Sequence, residues 1–304
     1  MPVVTVRDAQ VGDAEAIAEV WASAVPYLVR SPARAAADLR NDATLHRRRW
    51  VGLVGDRVAG TAAVRAVDGA AGAHEALLRV EVRPDLGSRG VGTALLRTAA
   101  SAFPDATVLR ATSTDDPISM AFAVRNGFLP EGEQQIAAVD THVVGPAGPA
   151  PQGLRGTTLD ALPDLGMLLD AYRQVAGDDP SGVGSSLEDL RLAWWESPDN
   201  APELSWGLVA DEDAGPVLVA FSTVSVERRR RRSWSTMTAT LPAYRGRGLA
   251  SWVKRRTLNA LRSAGLTGAW TAEDSTNAAM LAVNRRLGYE PVATSIRVAR
   301  RLTH

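Results

Sequence analysis

The 304 residues divide evenly in charge, 34 basic against 34 acidic, and 45% are hydrophobic. This excludes a chain held to nucleic acid by a global positive field and supplies enough apolar material for one large or two ordinary cores. The absence of cysteine excludes disulfides, thiolate metal sites and a cysteine nucleophile, and the four histidines form no H-x-x-x-H pair, so no metal site is expected. No apolar run reaches membrane-spanning length and the first residues lack a signal-peptide pattern, so a soluble cytoplasmic protein is expected, with no membrane partner. Lysine occurs once among the basic residues, at Lys254, while alanine, arginine and glycine abound, a bias that fits a GC-rich genome.

In chain order, Val3–Arg7 alternates as a strand, and Asp13 is placed to cap an amphipathic helix with Ile17, Val20, Trp21 and Val25 on one face. Pro32 opens a second helix to about Arg40. Strands are expected at Arg49–Val54 and Arg57–Val67 around the turn Gly55-Asp56, then at Ala76–Val82. A helix to about Phe103, a strand at Thr107–Thr112, a helix Pro117–Arg125 closing at Gly127-Phe128, and a strand Gln134–Thr141 follow. Residues 144–153, rich in proline and glycine without periodicity, read as a linker.

The same order then begins again. A strand at Leu154–Thr158, helices at Leu165–Ala176 and Leu187–Trp195, and strands at Leu204–Ala210, Val217–Val226 and Ser233–Leu241 lead into a loop, Arg245-Gly246-Arg247-Gly248-Leu249-Ala250. A helix to about Ser263, a strand Gly268–Thr271, a helix Asn277–Leu287 closing at Gly288-Tyr289, and a strand Ser295–Arg300 complete the chain. Gly90 to Gly127 spans 37 residues and Gly248 to Gly288 spans 40, which two copies of one α/β unit explain better than chance. The halves are 1–143 and 154–304.

Glycines between a strand and a helix let several N–H groups converge, and the helix N-terminus adds partial positive charge, so Arg245–Ala250 is a phosphate-binding turn. It is neither G-x-G-x-x-G nor a Walker loop. It does fit [RQ]-x-x-G-x-[GA], and with its strand, proline and helix it resembles the pyrophosphate-binding motif of the GNAT acyltransferase superfamily. Each half resembles a GNAT domain in element order, in this motif and in the late helix ending in glycine plus an aromatic. The pair resembles a tandem-GNAT protein, the arrangement also found in mycothiol synthase.

The resemblance implies two tandem α/β domains built on mixed sheets and a cytoplasmic transferase that moves the acetyl group of acetyl-CoA to an amine by direct attack in a ternary complex. It implies donor contacts from Thr240, Leu241, Arg245, Gly246, Arg247, Gly248, Leu249, Ala250 and Asn277 in the C-terminal half. The N-terminal half holds Val82, Arg83, Arg89, Gly90, Val91 and Gly92, but lacks the first Arg/Gln of the motif, and Asp116 stands where the other half has Asn277. The C-terminal half is therefore expected to be the catalytic unit and the N-terminal half an auxiliary or degenerate copy.

Many family members carry a tyrosine acid four residues before the late glycine; here the positions hold Asn284 and Ala123. Tyr244 and Tyr289 are the alternatives, at positions that suggest packing. The carboxylates considered as the base are Glu273 and Asp274, which could equally cap the following helix, and Glu81, either a buried base or part of an exposed strand face. One of Lys254, Arg255 and Arg256 could approach the nucleotide 3′-phosphate, and a solvated helix face is the equal alternative. Trp194-Trp195 falls where early helices line the acceptor cleft in the family, or in the core. Arg228–Arg232 reads as a hairpin tip; the C-terminal half carries 19 basic and 17 acidic residues, too balanced for a nucleic acid partner. A small-molecule amine is the expected acceptor, with a protein amine as the other class; a catalytically silent CoA-binding module is the alternative function.

Overall fold

The computed structural model describes residues 3–68, 74–87, 89–175 and 191–302. They fall into two compact units, one formed by Met1–Gln134, Val183–Asp199 and Thr294–His304, the other by Gln135–Gly182 and Asn200–Ala293.

In the first unit, β1 (Val4–Asp8), β2 (Arg47–Val54), β3 (Arg57–Asp68) and β4 (His74–Val82) pair antiparallel in succession. β5 (Val108–Thr114) then lies parallel to β4. The helices are α1 (Ala14–Ala24), α2 (Pro32–Asn41), α3 (Val91–Ser101) and α4 (Pro117–Arg125). Valine- and leucine-rich strands and the apolar stripe of α3 bury Trp50, Val64, Leu78, Leu95, Leu109 and Phe128 in one core, while Ile17 and Trp21 of α1 and Ala35 of α2 close over Val51 on β2. Each such large side chain contributes about 1.5–3 kcal/mol by leaving water. Ser31 caps α2 by accepting from the Arg34 amide, with Pro32 at the first helical position. Asp13 does not cap α1 with its side chain; its carboxylate accepts from Nη1 and Nη2 of Arg7, each at 2.7 Å, and from the Gln10 amide.

The second unit repeats the plan with β7 (Arg155–Thr158), β8 (Trp206–Glu212), β9 (Gly215–Glu227) and β10 (Arg232–Thr240) antiparallel and β11 (Gly268–Asp274) parallel to β10. Its helices are α5 (Gly166–Val175), α6 (Leu249–Ser263) and α7 (Ala278–Arg286). Leu258, Leu261, Leu266, Ala269, Leu287 and Tyr289 form its core around α6, together with Ala137 and Val139. Residues 144–153 run along α6, where the Val144, Gly145, Gly148 and Pro149 carbonyls accept from Arg262, Asn259 and Trp252.

The last strand of each unit comes from an unexpected place. Beside β5, Ser295–Arg301 of β12 (Glu290–Arg301) pairs antiparallel. The strand that follows α4, β6 (Leu129–Asp140), belongs to the first unit only as far as Gln134; its remainder joins the second unit, next to β11. Both strands alternate and both leave an apolar-plus-glycine helix end, so the pattern is met equally well by either partner, and the sequence alone points to pairing within each half.

The helix expected at Leu187–Trp195 is described only from Arg191, where Arg191–Trp195 forms a π-helical turn, and the end of the helix expected to reach Ala176 also lies outside the described residues beyond Val175. No helix among the described residues is long and apolar enough to cross a membrane.

Candidate active site

In the second unit the parallel pair β10–β11 is joined at only three registers, Arg232↔Gly268, Ser233↔Ala269 and Trp234↔Trp270. Both strands continue, β10 to Thr240 and β11 to Asp274, so they part after Trp234 and Trp270. The opposite edge of β10 stays paired to β9 along its length, with a bulge between Ser235 and Met237 that bends the strand at the point of parting. Peptide groups of β10 facing the split are therefore available to a ligand, as sheet backbone otherwise demands a partner. The Thr240 hydroxyl, buried at the far end of β10, has no hydrogen-bond partner.

Beyond Thr240, Leu241 anchors its amide on the Val219 carbonyl, and Pro242–Tyr244 makes one 3₁₀ turn. Arg245 donates from Nε to the Thr240 carbonyl at 3.3 Å. Gly246 and Gly248 both sit at positive φ, 76° and 74°, with open space where a Cβ would be. Gly248 is the N-cap of α6 and brings no capping side chain, so the first-turn amides, including those of Leu249 and Ala250, keep their donors for an external acceptor. Arg247 lies 5.3 Å from the Tyr244 ring, and Tyr244 donates its hydroxyl to Glu212 at 2.6 Å. This donor set fits the pyrophosphate of a CoA ester. Tyr244 props the loop, as its motif position suggests.

The first unit repeats the split. β4 and β5 pair only at Glu75↔Val108, Ala76↔Leu109 and Leu77↔Arg110, and Pro84–Leu86 makes the same turn. Gly90, at φ 85°, is the uncapped N-cap of α3, and Val91 is buried behind it. The surroundings differ. Val82 pairs with Gly60, while Arg83 bonds Asp85 and Glu19. A side chain at Gly92 would meet the Phe122 ring at 3.4 Å. Arg89 is exposed, and Ser88 lies outside the described residues. Asp116 caps α4, accepting from the Ile118 and Ser119 amides and from Thr114. Burial pushes its carboxyl up, but the Ser119 and Thr114 hydroxyls and the two amides outweigh it and hold it below the usual carboxylate range.

The three carboxylates separate by role. Asp274 is buried and its Oδ1 accepts from the amide and hydroxyl of Thr276, so it closes the β11–α7 turn. Glu273 is half-buried at the split, and Asn277 donates to it from Nδ2 at 2.7 Å while accepting the Met280 amide as N-cap of α7. Burial raises the Glu273 carboxyl, and the nearby Lys254 charge and the Asn277 bond offset this only in part. Glu81 is not on an exposed face: it is buried and accepts from Arg79 Nε at 3.1 Å.

Two further readings change. Lys254 neither lies on a solvated helix face nor reaches toward a phosphate; it is 2% exposed and donates to Asn284 Oδ1 at 2.7 Å and Thr271 Oγ1 at 3.4 Å, beside the Tyr289 ring. Its one signal in the sequence is that it is the single lysine. Trp194 and Trp195, edge to face at 6.4 Å, group with the first unit, where Ser197 accepts from Arg34, and Asp199 accepts from the amide and hydroxyl of Ser31. The Arg228–Arg232 run does form the β9–β10 hairpin tip, with Arg228 on Glu203 and Arg232 stacked 4.2 Å over Trp270.

A split parallel pair followed by an uncapped glycine turn, present twice, coincides with two matches to one family profile, the acetyltransferase (GNAT) family, over residues 15–128 and 169–289. The chain belongs to the GNAT acetyltransferase family. The double match makes it a tandem GNAT protein with an α/β fold of mixed sheets, and an acyltransferase. Among solved structures, a tandem GNAT protein from the clavulanic acid biosynthesis pathway is similar over 98% of this chain and 98% of its own, with TM-score 0.75 and 21% identity. A GCN5-related N-acetyltransferase from Sphaerobacter thermophilus is similar over 98% and 95%, with TM-score 0.69 and 18% identity. A GCN5-related glucosamine N-acetyltransferase region of a fungal multi-domain β-N-acetylglucosaminidase is similar over 98% of this chain and 38% of that one, with TM-score 0.64 and 15% identity. At these identities the likeness is one of fold. No curated protein sequence matches the chain.

Proposed function

We propose that the second unit transfers the acetyl group of acetyl-CoA to a small-molecule amine, and that the first unit is an auxiliary copy. The observation that carries this reading is the split between β10 and β11 running straight into a turn with two left-handed glycines and an uncapped helix. In this reading, β10 from Ser235 to Thr240 binds the pantetheine arm through its backbone, Arg245–Ala250 and the first turn of α6 bind the pyrophosphate, and Asn277 borders the arm at the start of α7. The acceptor nitrogen attacks the thioester carbonyl, its proton passes to Glu273 directly or through one water, and CoA leaves as the thiolate. A thiol of pKa about 8.5 leaves readily near neutral pH, which agrees with the absence of a tyrosine at Asn284. Glu273 is the better base because its side-chain partner, Asn277, is neutral and it is half-buried at the split, whereas Asp274 closes its turn and Glu81 is paired with the Arg79 cation. A glucosamine N-acetyltransferase region among the similar structures supports a small amine as the acceptor class.

The test is turnover of acetyl-CoA with a panel of amines, read as thiol release, together with donor binding by calorimetry. Acetylated product with a binding stoichiometry of one supports the reading. Donor binding with no thiol release across amino sugars, polyamines, amino acids and peptide N-termini would sink it in favour of a silent CoA-binding module.

A further inference from the structure

The duplication provides an internal control for the buried lysine. Lys254 lies six residues after the N-cap Gly248 of α6, and six residues after Gly90 of α3 the first unit has Leu96. Thr271 follows the last paired residue of β11, Trp270; Ala111 follows its counterpart Arg110. Asn284 stands four residues before Gly288, where the first unit has Ala123 before Gly127, and Tyr289 corresponds to Phe128. Leu96, Ala123 and Phe128 sit in the first unit's apolar core, with Ala111 packed against it. The same four positions in the second unit carry an amine, a hydroxyl, an amide and a phenol.

The fold does not need this polar set, because its other copy packs the site with hydrocarbon. The set is also costly. Lys254 is fully enclosed, the Asn284 side-chain amide nitrogen and the Tyr289 hydroxyl have no partner among the described residues, and no carboxylate among them comes within salt-bridge distance of the ammonium. Its polar partners place it: Thr271 is the first β11 residue beyond the last paired register, so the ammonium sits at the apex of the split. Glu273, two residues along β11, faces the same side as Thr271. Burial lowers the lysine to about 8, with Glu273 as the one charge opposing that fall, and Lys254 is in turn the charge that opposes the rise of Glu273.

Resting on the reading of the second unit as the transfer site, we propose that Lys254 is a positioning residue of that site, its enclosed ammonium at the apex of the split keeping Glu273 ionised as the base. Among the described residues the charges acting on Glu273 are Lys254 from α6 and Asp274, its neighbour on β11, whose side chain alternates to the other face. Asn277 faces it from the start of α7, and β10 brings no ionisable side chain between Ser233 and Thr240. Asp274 works against ionisation of Glu273, so the lysine supplies the favourable charge.

The experiment compares the wild type with Lys254→Leu/Asn284→Ala, which installs the first unit's pair and leaves no orphaned amide, and with Lys254→Arg, which keeps the charge. Thermal melts and acetyl-CoA affinity establish that each is folded. The expected result is that the acid limb of kcat/KM moves to higher pH in the leucine–alanine variant, with activity at pH 6 falling at least tenfold more than activity at pH 8. The arginine variant should restore the limb toward the wild-type position. Carbon-13 NMR titration of Glu273 in the same proteins reports without turnover and should show its pKa rising in the leucine–alanine variant. An unmoved Glu273 titration overturns the inference whatever the activity, and an unmoved acid limb overturns it in an active enzyme. A wild type that transfers no acetyl group overturns the functional reading itself, and with it any role for Lys254 in transfer.

Discussion

The two units share a turn and differ in the charge around it. Residues 83–92 read Arg-Pro-Asp-Leu-Gly-Ser-Arg-Gly-Val-Gly, and 241–250 read Leu-Pro-Ala-Tyr-Arg-Gly-Arg-Gly-Leu-Ala. In the first, Asp85 engages Arg83, Glu19 lies on the same guanidinium, and Asp116 caps the helix beside the split. In the second, no acid occurs in the turn, and the corresponding cap is the neutral Asn277. An anionic donor would meet backbone N–H groups in both; in the first, carboxylates stand within the turn and at the helix cap, whereas in the second Glu212 and Glu273 lie outside both, held by Tyr244 and Asn277. Fold conservation thus preserved the cradle, while the electrostatics of the neighbours separate the copies.

Damage to each cradle in turn should separate the two copies most strongly. Gly248→Glu forces a side chain and a negative charge into a left-handed position and should weaken acetyl-CoA binding by at least ~100-fold. Gly90→Glu, its counterpart, should leave donor affinity and turnover within about twofold if the second unit is the active copy. Calorimetry on both variants decides, and equal losses would mean that both units bind the donor.

The next largest effect concerns the base. Glu273→Gln should lower kcat/KM by about 10²–10³-fold and remove the acid limb of the pH profile, within the range expected for loss of a positioned general base. Glu81→Gln should alter turnover less than about threefold, its main effect being the lost partner of Arg79. A reversed order would move the chemistry to the first unit.

Stability against pH sharpens the contrast between polar and apolar cores. Burial pushes Lys254 down from the ordinary 10.5 to about 8, so below pH 8 the native state bears the full cost of holding the ammonium out of water. Between pH 8 and 10.5 the unfolded chain binds more protons and stability rises, by about 3 kcal/mol across the window. Lys254→Leu/Asn284→Ala should lack that rise and unfold at higher denaturant than the wild type at pH 7. Denaturant titrations at pH 7 and pH 10 measure it; a wild-type stability flat over that window would contradict the enclosed-cation account.

The smallest expected change is in the first unit. Asp116→Asn keeps the helix cap and should cost no more than about 1 kcal/mol. Together with Asp85→Asn it removes two anions beside the cradle and should bring weak donor binding there, raising the calorimetric stoichiometry above one. An unchanged stoichiometry would mean that something other than these charges closes the first copy.

Much of this was legible in the sequence because local rules and the fold agree. Alternating strands, Pro242 and Pro84 at the start of a turn, and glycines at Gly246, Gly248 and Gly90 announce a strand–turn–helix without any tertiary knowledge. Three things were not legible. The exchange of β6 and β12 depends on which of two equally suitable edges an alternating strand meets. The environment of Lys254 was hidden because lysine on a helix followed by two arginines reads as solvated; only packing reveals which of three neighbouring cations turns inward. Trp194-Trp195 was misplaced because chain order put it in the second half, whereas the segment ending at Asp199 is tied to Ser31 and Arg34 of the first unit.

Lys254 has a practical consequence for anyone assaying this enzyme. It is the single lysine of the chain, and its amine is enclosed. The folded protein therefore presents acetyl-CoA with no lysine side chain of its own to modify, enzymatically or by spontaneous acylation. Background self-acetylation, which obscures slow turnover in lysine-rich proteins, has no lysine substrate here, and acetyl groups appearing on lysine in a mixture report on the added acceptor.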